Sequence, residues 1–286
     1  MDPQVKIIEC PRDALQGVRE FIPTAAKAAY VNALLGVGFD TVDFGSFVSP
    51  KAIPQMRDTA AVLSRLDLSE TRSKLLAIVA NTRGARDAAI FEEIDFLGFP
   101  FSVSEIFQMR NTQKTIEQSL GVLDEVLNIA TVANKKVVTY LSMGFGNPYG
   151  EPWSLELVGK WTKKLTEMGV EILSLSDTIG TATPANISYL FSHLIPQYPT
   201  VEFGAHLHTS YTSWKPKVEA AFQAGCLRFD GAIQGHGGCP MANDELIGNM
   251  PTEKLLSYFA SQQIATGTKP MAFESAYNAA LQIFSL

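Results

Sequence analysis

Short β-rich runs and longer stretches of helical period alternate along this chain eight times, and that alternation restricts the fold more than any other feature. The strand candidates are KIIEC from Lys6, FDTVDFGSFV from Phe39, KLLAIVA from Lys74 and EEIDFLGFPF from Glu92. They continue with KKVVTYLSM from Lys135, EILSLSD from Glu171, VEFGAHLH from Val201 and CLRFDGAIQG from Cys226. Between them lie stretches such as TIEQSLGVLDEVLNIATVAN and SLELVGKWTKKLTEMG, whose apolar residues recur at helical spacing. Several stop at a glycine that leads into the next run, as in LLGVGFD, LTEMGVE and FQAGCLR. Glycine takes the left-handed position that closes a helix. Strand and helix in turn, joined by short links, imply a parallel sheet with its helices outside. Eight such units in about 250 residues match a (β/α)8 TIM barrel. An open doubly wound sheet normally carries G-x-G-x-x-G after its first strand, and KIIECPRDAL has none. The last residues, SAYNAALQIFSL, predict an additional C-terminal helix. With no Pro- or Ser-rich linker, short-period repeat or charge block, residues 1–286 read as one α/β TIM-barrel domain.

Composition narrows the function classes. At 46% hydrophobic and 18% charged residues, the chain is not disordered or of low complexity. Its formal charge of -6 is spread without a basic stripe, which argues against nucleic acid as a partner. No apolar run approaches the roughly 18 residues of a membrane helix. The start, MDPQVKIIEC, has neither a signal-peptide core nor an Arg-rich transit face, so a cytoplasmic protein is expected. Cys10, Cys226 and Cys239 form no C-x-x-C pair, which fits a reducing compartment.

Barrels of this kind do chemistry at the C-terminal ends of their strands, and polar residues collect there in this sequence. Arg12 and Asp13 are expected to end strand one, and Asp43 and Ser46 lie on strand two. Ser174, Ser176, Asp177 and Thr178 close strand six, and His206 and His208 close strand seven. Two apart on a strand, the two histidines share a face, expected to be the lumen. Paired inward imidazoles bind a metal or share a polar network. With Asp13 as a hard anionic ligand and no thiolate pair, Mg²⁺ or Mn²⁺ suits the set first, with Zn²⁺ or Fe²⁺ as alternatives. Arg12 is either a salt bridge between strand ends or a donor to an oxygen that turns negative during reaction. Asp43, Ser46, Ser174 and Asp177 are weighed as supporting groups. His193 reads as a helix residue, and His236 is left open. Strand eight runs into GHGGCP, a glycine-rich loop carrying Cys239, which is either a proton-transferring thiol or a plain surface cysteine. Cys10 and Cys226 read as small buried hydrophobes.

Taken together, VKIIECPRDALQ, GSFVSPKAIPQM, SEIFQMRNTQKTIEQS, SLSDTIGTATP, AHLH, GHGGCP and GNMPTE occur in an order that resembles the 3-hydroxy-3-methylglutaryl-CoA lyase family of metal-dependent barrel lyases. The resemblance implies a divalent metal held by Asp13, His206, His208 and Asn249. It implies that Arg12 stabilises an enolate and that Cys239 takes part in proton transfer. Gln16, Asp43, Ser46, Ser174, Asp177 and Glu253 match supporting or substrate-binding positions, and Arg19 stands where the family often has Lys. The implied reaction is retro-Claisen cleavage of an acyl-CoA to acetyl-CoA and acetoacetate, with Asp13 or a group near it as base. A homo-oligomer, dimer or tetramer, is expected. Three departures stand out. Asp43 replaces a usual Glu, Thr209-Ser210-Tyr211-Thr212 replaces Asp-Thr-x-Gly, and Cys10 and Ala14 occupy the Gly positions of the first turn. The competing readings are a Claisen-condensing acyltransferase, a 4-hydroxy-2-oxoacid aldolase, and a catalytically silent barrel that binds.

Overall fold

In the computed structural model, which describes residues 4–238 and 247–285, the eight runs form eight parallel strands closed into a barrel. The strands are β1 (Lys6–Glu9), β2 (Thr41–Ser46), β3 (Lys74–Ile78) and β4 (Ile94–Ser102), then β5 (Lys136–Ser142), β6 (Ile172–Asp177), β7 (Glu202–Leu207) and β8 (Arg228–Gly231). Each pairs with its sequence neighbour, and β1 closes the ring on β8 through Lys6–Arg228 to Glu9–Gly231. Helices cover the outside because each strand alternates between two apolar faces. Ile7, Val42, Leu75, Leu97 and Leu173 face outward into the main core, whereas Leu76, Ile78, Phe96, Val138, Tyr140 and Ile172 pack together as a separate inner cluster. That separation is what a closed sheet with helices outside requires, the lumen being a packed core and not a pore.

The ends of the barrel differ sharply. At the N-terminal end Lys6 pairs with Glu202 at 2.8 Å, and the buried Arg228 lies 3.7 Å from Glu202. At the C-terminal end the inward side chains turn polar. The link after β1 differs from the sequence expectation: Arg12 and Asp13 do not end the strand but sit in the first turn of a short helix, Pro11–Gln16. Pro11 stands at N1, where its fixed φ and missing N–H favour helix over strand. Likewise β8 stops at Gly231, and Ile233–Gly235 forms a 3-10 turn in which Gln234 has φ of 61°. After β8 come the helix Thr252–Ser261 and the additional C-terminal helix, Pro270–Ile283, which packs beside Thr24–Val37. Edge-to-face contacts of Phe284 with Tyr30 and of Phe273 with Phe39 fasten it. No helix among the described residues is long and apolar enough to cross a membrane.

Candidate active site

β7 presents His206 inward, and the chain keeps its alternation for two more residues, so the two imidazoles lie side by side with ring centroids 5.3 Å apart. His208 itself falls just beyond the strand, where an antiparallel bridge joins it to Asn249. Asp13 reaches the same place from the helix after β1. One ligand atom each from Asp13, His206 and His208 can be chosen so that all lie within 4.8 Å of one another. The Asn249 amide donates to Asp13 Oδ2 at 2.6 Å and to the His236 carbonyl at 2.9 Å, which fixes it beside that cluster. The four residues assigned to a metal by resemblance are thus brought together from three separate parts of the chain.

The donor set fits a divalent cation. Both ring nitrogens of His208 are buried without a hydrogen-bond partner, and the Thr178 backbone is the nearest polar influence from the main chain on its titration. Burial and the neighbouring His206 push its pKa down to about 3, so a neutral imidazole with a lone pair faces the cluster. Asp13 goes the other way. Burial would raise its carboxyl, but Arg12, His206, His208 and the Asn249 bond outweigh that and hold it below the ordinary range. An ionised carboxylate, neutral imidazole and amide suit a hard or borderline divalent ion. His206 meets Asp230 through Nδ1 at 3.0 Å, which leaves Nε2 for the cluster.

Arg12 is held from several sides. Its Nε and Nη2 donate to Asp43 Oδ2 at 3.0 and 2.5 Å, and Nη1 donates to Asp13 Oδ1 and Gln16 Oε1, both at 3.1 Å. That uses four of its five N–H groups, and the fifth, on Nη2, is left for an oxygen in the cavity. Burial pushes the Asp43 carboxyl up to about 6 even against the pull of Arg12. Asp43 is itself fully buried beneath the guanidinium, and a register shift between Asp43 and Gly45 bends β2 there.

A cavity of about 640 Å³ opens onto this cluster. Arg12, Asp13, Gln16, Ser46, His206 and His208 line it, together with Tyr140, Ser176 and Thr178. It also takes in Lys51, Arg110 and Lys114. Three predicted residues lie elsewhere. Ser174 is buried lower in the lumen, beside Gly204. Asp177 lies behind the wall, its two oxygens taken by Lys217 at 2.6 Å and the Ala182 N–H at 2.9 Å. Glu253 accepts from the Gln234 N–H at 3.0 Å and secures the turn after β8. His193 stacks on Tyr189 and His236 on Phe284, neither ring joining the cluster. Cys10 and Cys226 are buried, as expected of small hydrophobes, though Cys10 also comes close to His206 and Asp230. Cys239 lies outside the described residues.

Sequence reasoning missed Asp230, Lys217, Tyr140 and the cationic trio. Asp230 had a legible signal, since Arg228 and Asp230 alternate along β8 in the same way as the two histidines along β7. Lys217 had none: it is one of two lysines on the helix Trp214–Gln223.

The HMGL-like family model matches residues 4–279. The mitochondrial hydroxymethylglutaryl-CoA lyase of Bos taurus is 35% identical over 274 residues, covering 92% of this chain and 81% of the relative. The crystal structure of the Bacillus subtilis HMG-CoA lyase superposes with a TM-score of 0.89 at 33% identity, covering 96% of this chain and 92% of that one. An Acinetobacter baumannii HMG-CoA lyase in complex with coenzyme A and 3-methylmalate gives a TM-score of 0.90 at 27% identity, covering 98% and 91%.

Proposed function

This chain belongs to the HMGL-like family, and from that premise we propose that it cleaves 3-hydroxy-3-methylglutaryl-CoA to acetyl-CoA and acetoacetate with a divalent metal held by Asp13, His206, His208 and Asn249. It is a carbon–carbon lyase. The observation that carries the site assignment is the convergence of Asp13, His206 and His208 within 4.8 Å at the floor of a cavity lined also by Arg12.

When bound, the metal, Mg²⁺ or Mn²⁺ as the first choice for a set that includes a carboxylate and an amide oxygen, would act as a Lewis acid on the substrate's tertiary hydroxyl. Asp13, ionised because Arg12 and the two histidines hold it below the ordinary carboxylate range, or a group near it would take the hydroxyl proton as the carbon–carbon bond breaks. Arg12 keeps one N–H for the thioester oxygen, where the enolate charge develops, and its bonds to Asp43, Asp13 and Gln16 hold it in place beforehand. Proton delivery to the enolate carbon falls to Cys239 or a water that it positions. Lys51, Arg110 and Lys114 give the cavity cationic groups suited to the phosphates of an acyl-CoA. The free thiols of Cys10 and Cys226 support a reducing, cytoplasmic setting.

The test is direct. Incubated with 3-hydroxy-3-methylglutaryl-CoA, Mg²⁺ and a thiol reductant, the protein should release acetyl-CoA and acetoacetate in equal amounts, and a chelator should stop it. Turnover that resists exhaustive chelation would remove the metal from the reading, and absence of either product would remove the substrate.

A further inference from the structure

Lys217 comes from the helix Trp214–Gln223, outside the barrel wall, yet it is 3% exposed. Its ammonium donates to Asp177 Oδ2 at 2.6 Å, to the His208 carbonyl at 2.8 Å and to the Gly180 carbonyl at 2.9 Å. An ammonium has three N–H groups, and here each has its own acceptor. The three acceptors belong to one side of the site. Asp177 ends β6, Gly180 lies in the loop that follows it, and His208 is one of the paired imidazoles.

We infer that Lys217 is a positioning residue that anchors the backbone of His208 and, through it, the metal-binding geometry of the site. The inference rests on the metal reading above and adds a residue to it. The anchor reaches further than His208 alone. His208 bridges to Asn249, and the next N–H, that of Thr209, donates to the Gly248 carbonyl at 3.0 Å. One buried cation therefore backs two residues of the cluster. The Thr209 side chain does not share this task, because its hydroxyl is spent on Ser213 at 2.9 Å and on the Ser210 carbonyl at 2.9 Å. The remaining Asp177 oxygen accepts from Ala182, so the carboxylate is fixed at both ends and gives the ammonium an immobile seat.

A buried ion pair is weak evidence for stability, since its desolvation offsets much of its attraction. The informative variants therefore separate charge from tether. Lys217→Met removes both and leaves Asp177 buried and unpaired. The double variant Lys217→Met with Asp177→Asn removes the unpaired charge while still lacking the tether to His208. Mn²⁺ affinity, followed by the paramagnetic signal of the free ion, and the urea midpoint are measured for each. In the double variant the midpoint should return close to that of the wild type while Mn²⁺ binds about tenfold or more weakly, the loss expected when support behind a ligand is removed. Wild-type Mn²⁺ affinity in the double variant overturns the inference, and so does its failure to fold, because the pair then serves the fold and not the site. A wild type that does not bind Mn²⁺ at all would sink the metal reading itself.

Discussion

The imidazole of His206 and the carboxylate of Asp230 meet at 3.0 Å inside the barrel, with Asp230 supplied by the strand next to the one that carries the histidine. The contact with a carboxylate makes Nδ1 the protonated nitrogen and leaves Nε2 with the ring's lone pair. Asp230→Ala is expected to weaken divalent-metal affinity about 10–100-fold, as removal of such a partner commonly does. Asp230→Asn keeps an acceptor and should lose less. Calorimetric titration with Mn²⁺ checks this, and equal losses in the two variants would mean that only the charge matters.

Arg12→Met should lower turnover on the order of 100-fold or more, the usual cost of losing a preorganised donor at a developing oxyanion. Its partner Asp43 is already pushed up to about 6 by burial and can take up a proton when the guanidinium is gone. The fold and the metal affinity should therefore survive. Steady-state kinetics beside a metal titration separates the two effects, and normal turnover would reduce Arg12 to an ion-pair partner of Asp43.

Gly237 enters the site more closely than any side chain could. At φ of +93°, a Cβ there would lie 2.7 Å from the Asn249 amide nitrogen and 2.7 Å from the Asp13 carbonyl. Gly237→Ala should cost ~1–3 kcal/mol of backbone strain and push Asp13 and Asn249 apart. The expected result is a lower melting temperature together with weaker metal binding. Unchanged metal affinity in a folded variant would show that the loop yields instead of the ligands.

Glu9 predicts a pH dependence of stability. It is completely buried, accepting from the Ile233 N–H at 2.9 Å and the Thr252 hydroxyl at 2.5 Å, and burial pushes its pKa up to about 8. A carboxyl raised in the folded state contributes stability that is fully present below its unfolded value, about 4.5, and is lost as pH rises through about 8. Across that window the folding constant should fall up to about tenfold per pH unit from this group alone. Glu9→Gln should flatten the trend, as measured by urea midpoints at pH 5, 6.5 and 8. A slope unchanged by the substitution would place the dependence elsewhere.

The barrel was legible because it is written in local, repeated terms. Each strand run carries its own apolar pattern, each helix its period, and glycine marks many of the joints, so seven of the eight strands fall within the segments read from the sequence and β4 runs one residue past its segment, to Ser102. His206 and His208 were legible for the same reason, since a spacing of two on a strand fixes a shared face whatever the rest of the chain does. Arg12 and Asp13 show the limit of that reasoning: both line the cavity, but Pro11 turns them into a helix where a strand end was expected. The roles of Asp177 and Glu253 depended on direction. Asp177 falls on the outward phase of β6, which carries it behind the cavity to Lys217.

What the sequence determined by itself was therefore the architecture and the shared face of His206 and His208. Tertiary structure decided which of them touch. Asn249 lies 236 residues from Asp13 along the chain and reaches it only because the barrel closes β8 against β1. Lys217 meets Asp177 and His208 only because its helix, packed beside the helix Pro184–Gln197, brings the ammonium to the ends of β6 and β7. Such contacts depend on ring closure and on helix placement, which no local pattern encodes, and a buried charge takes its role from whatever groups closure brings to it.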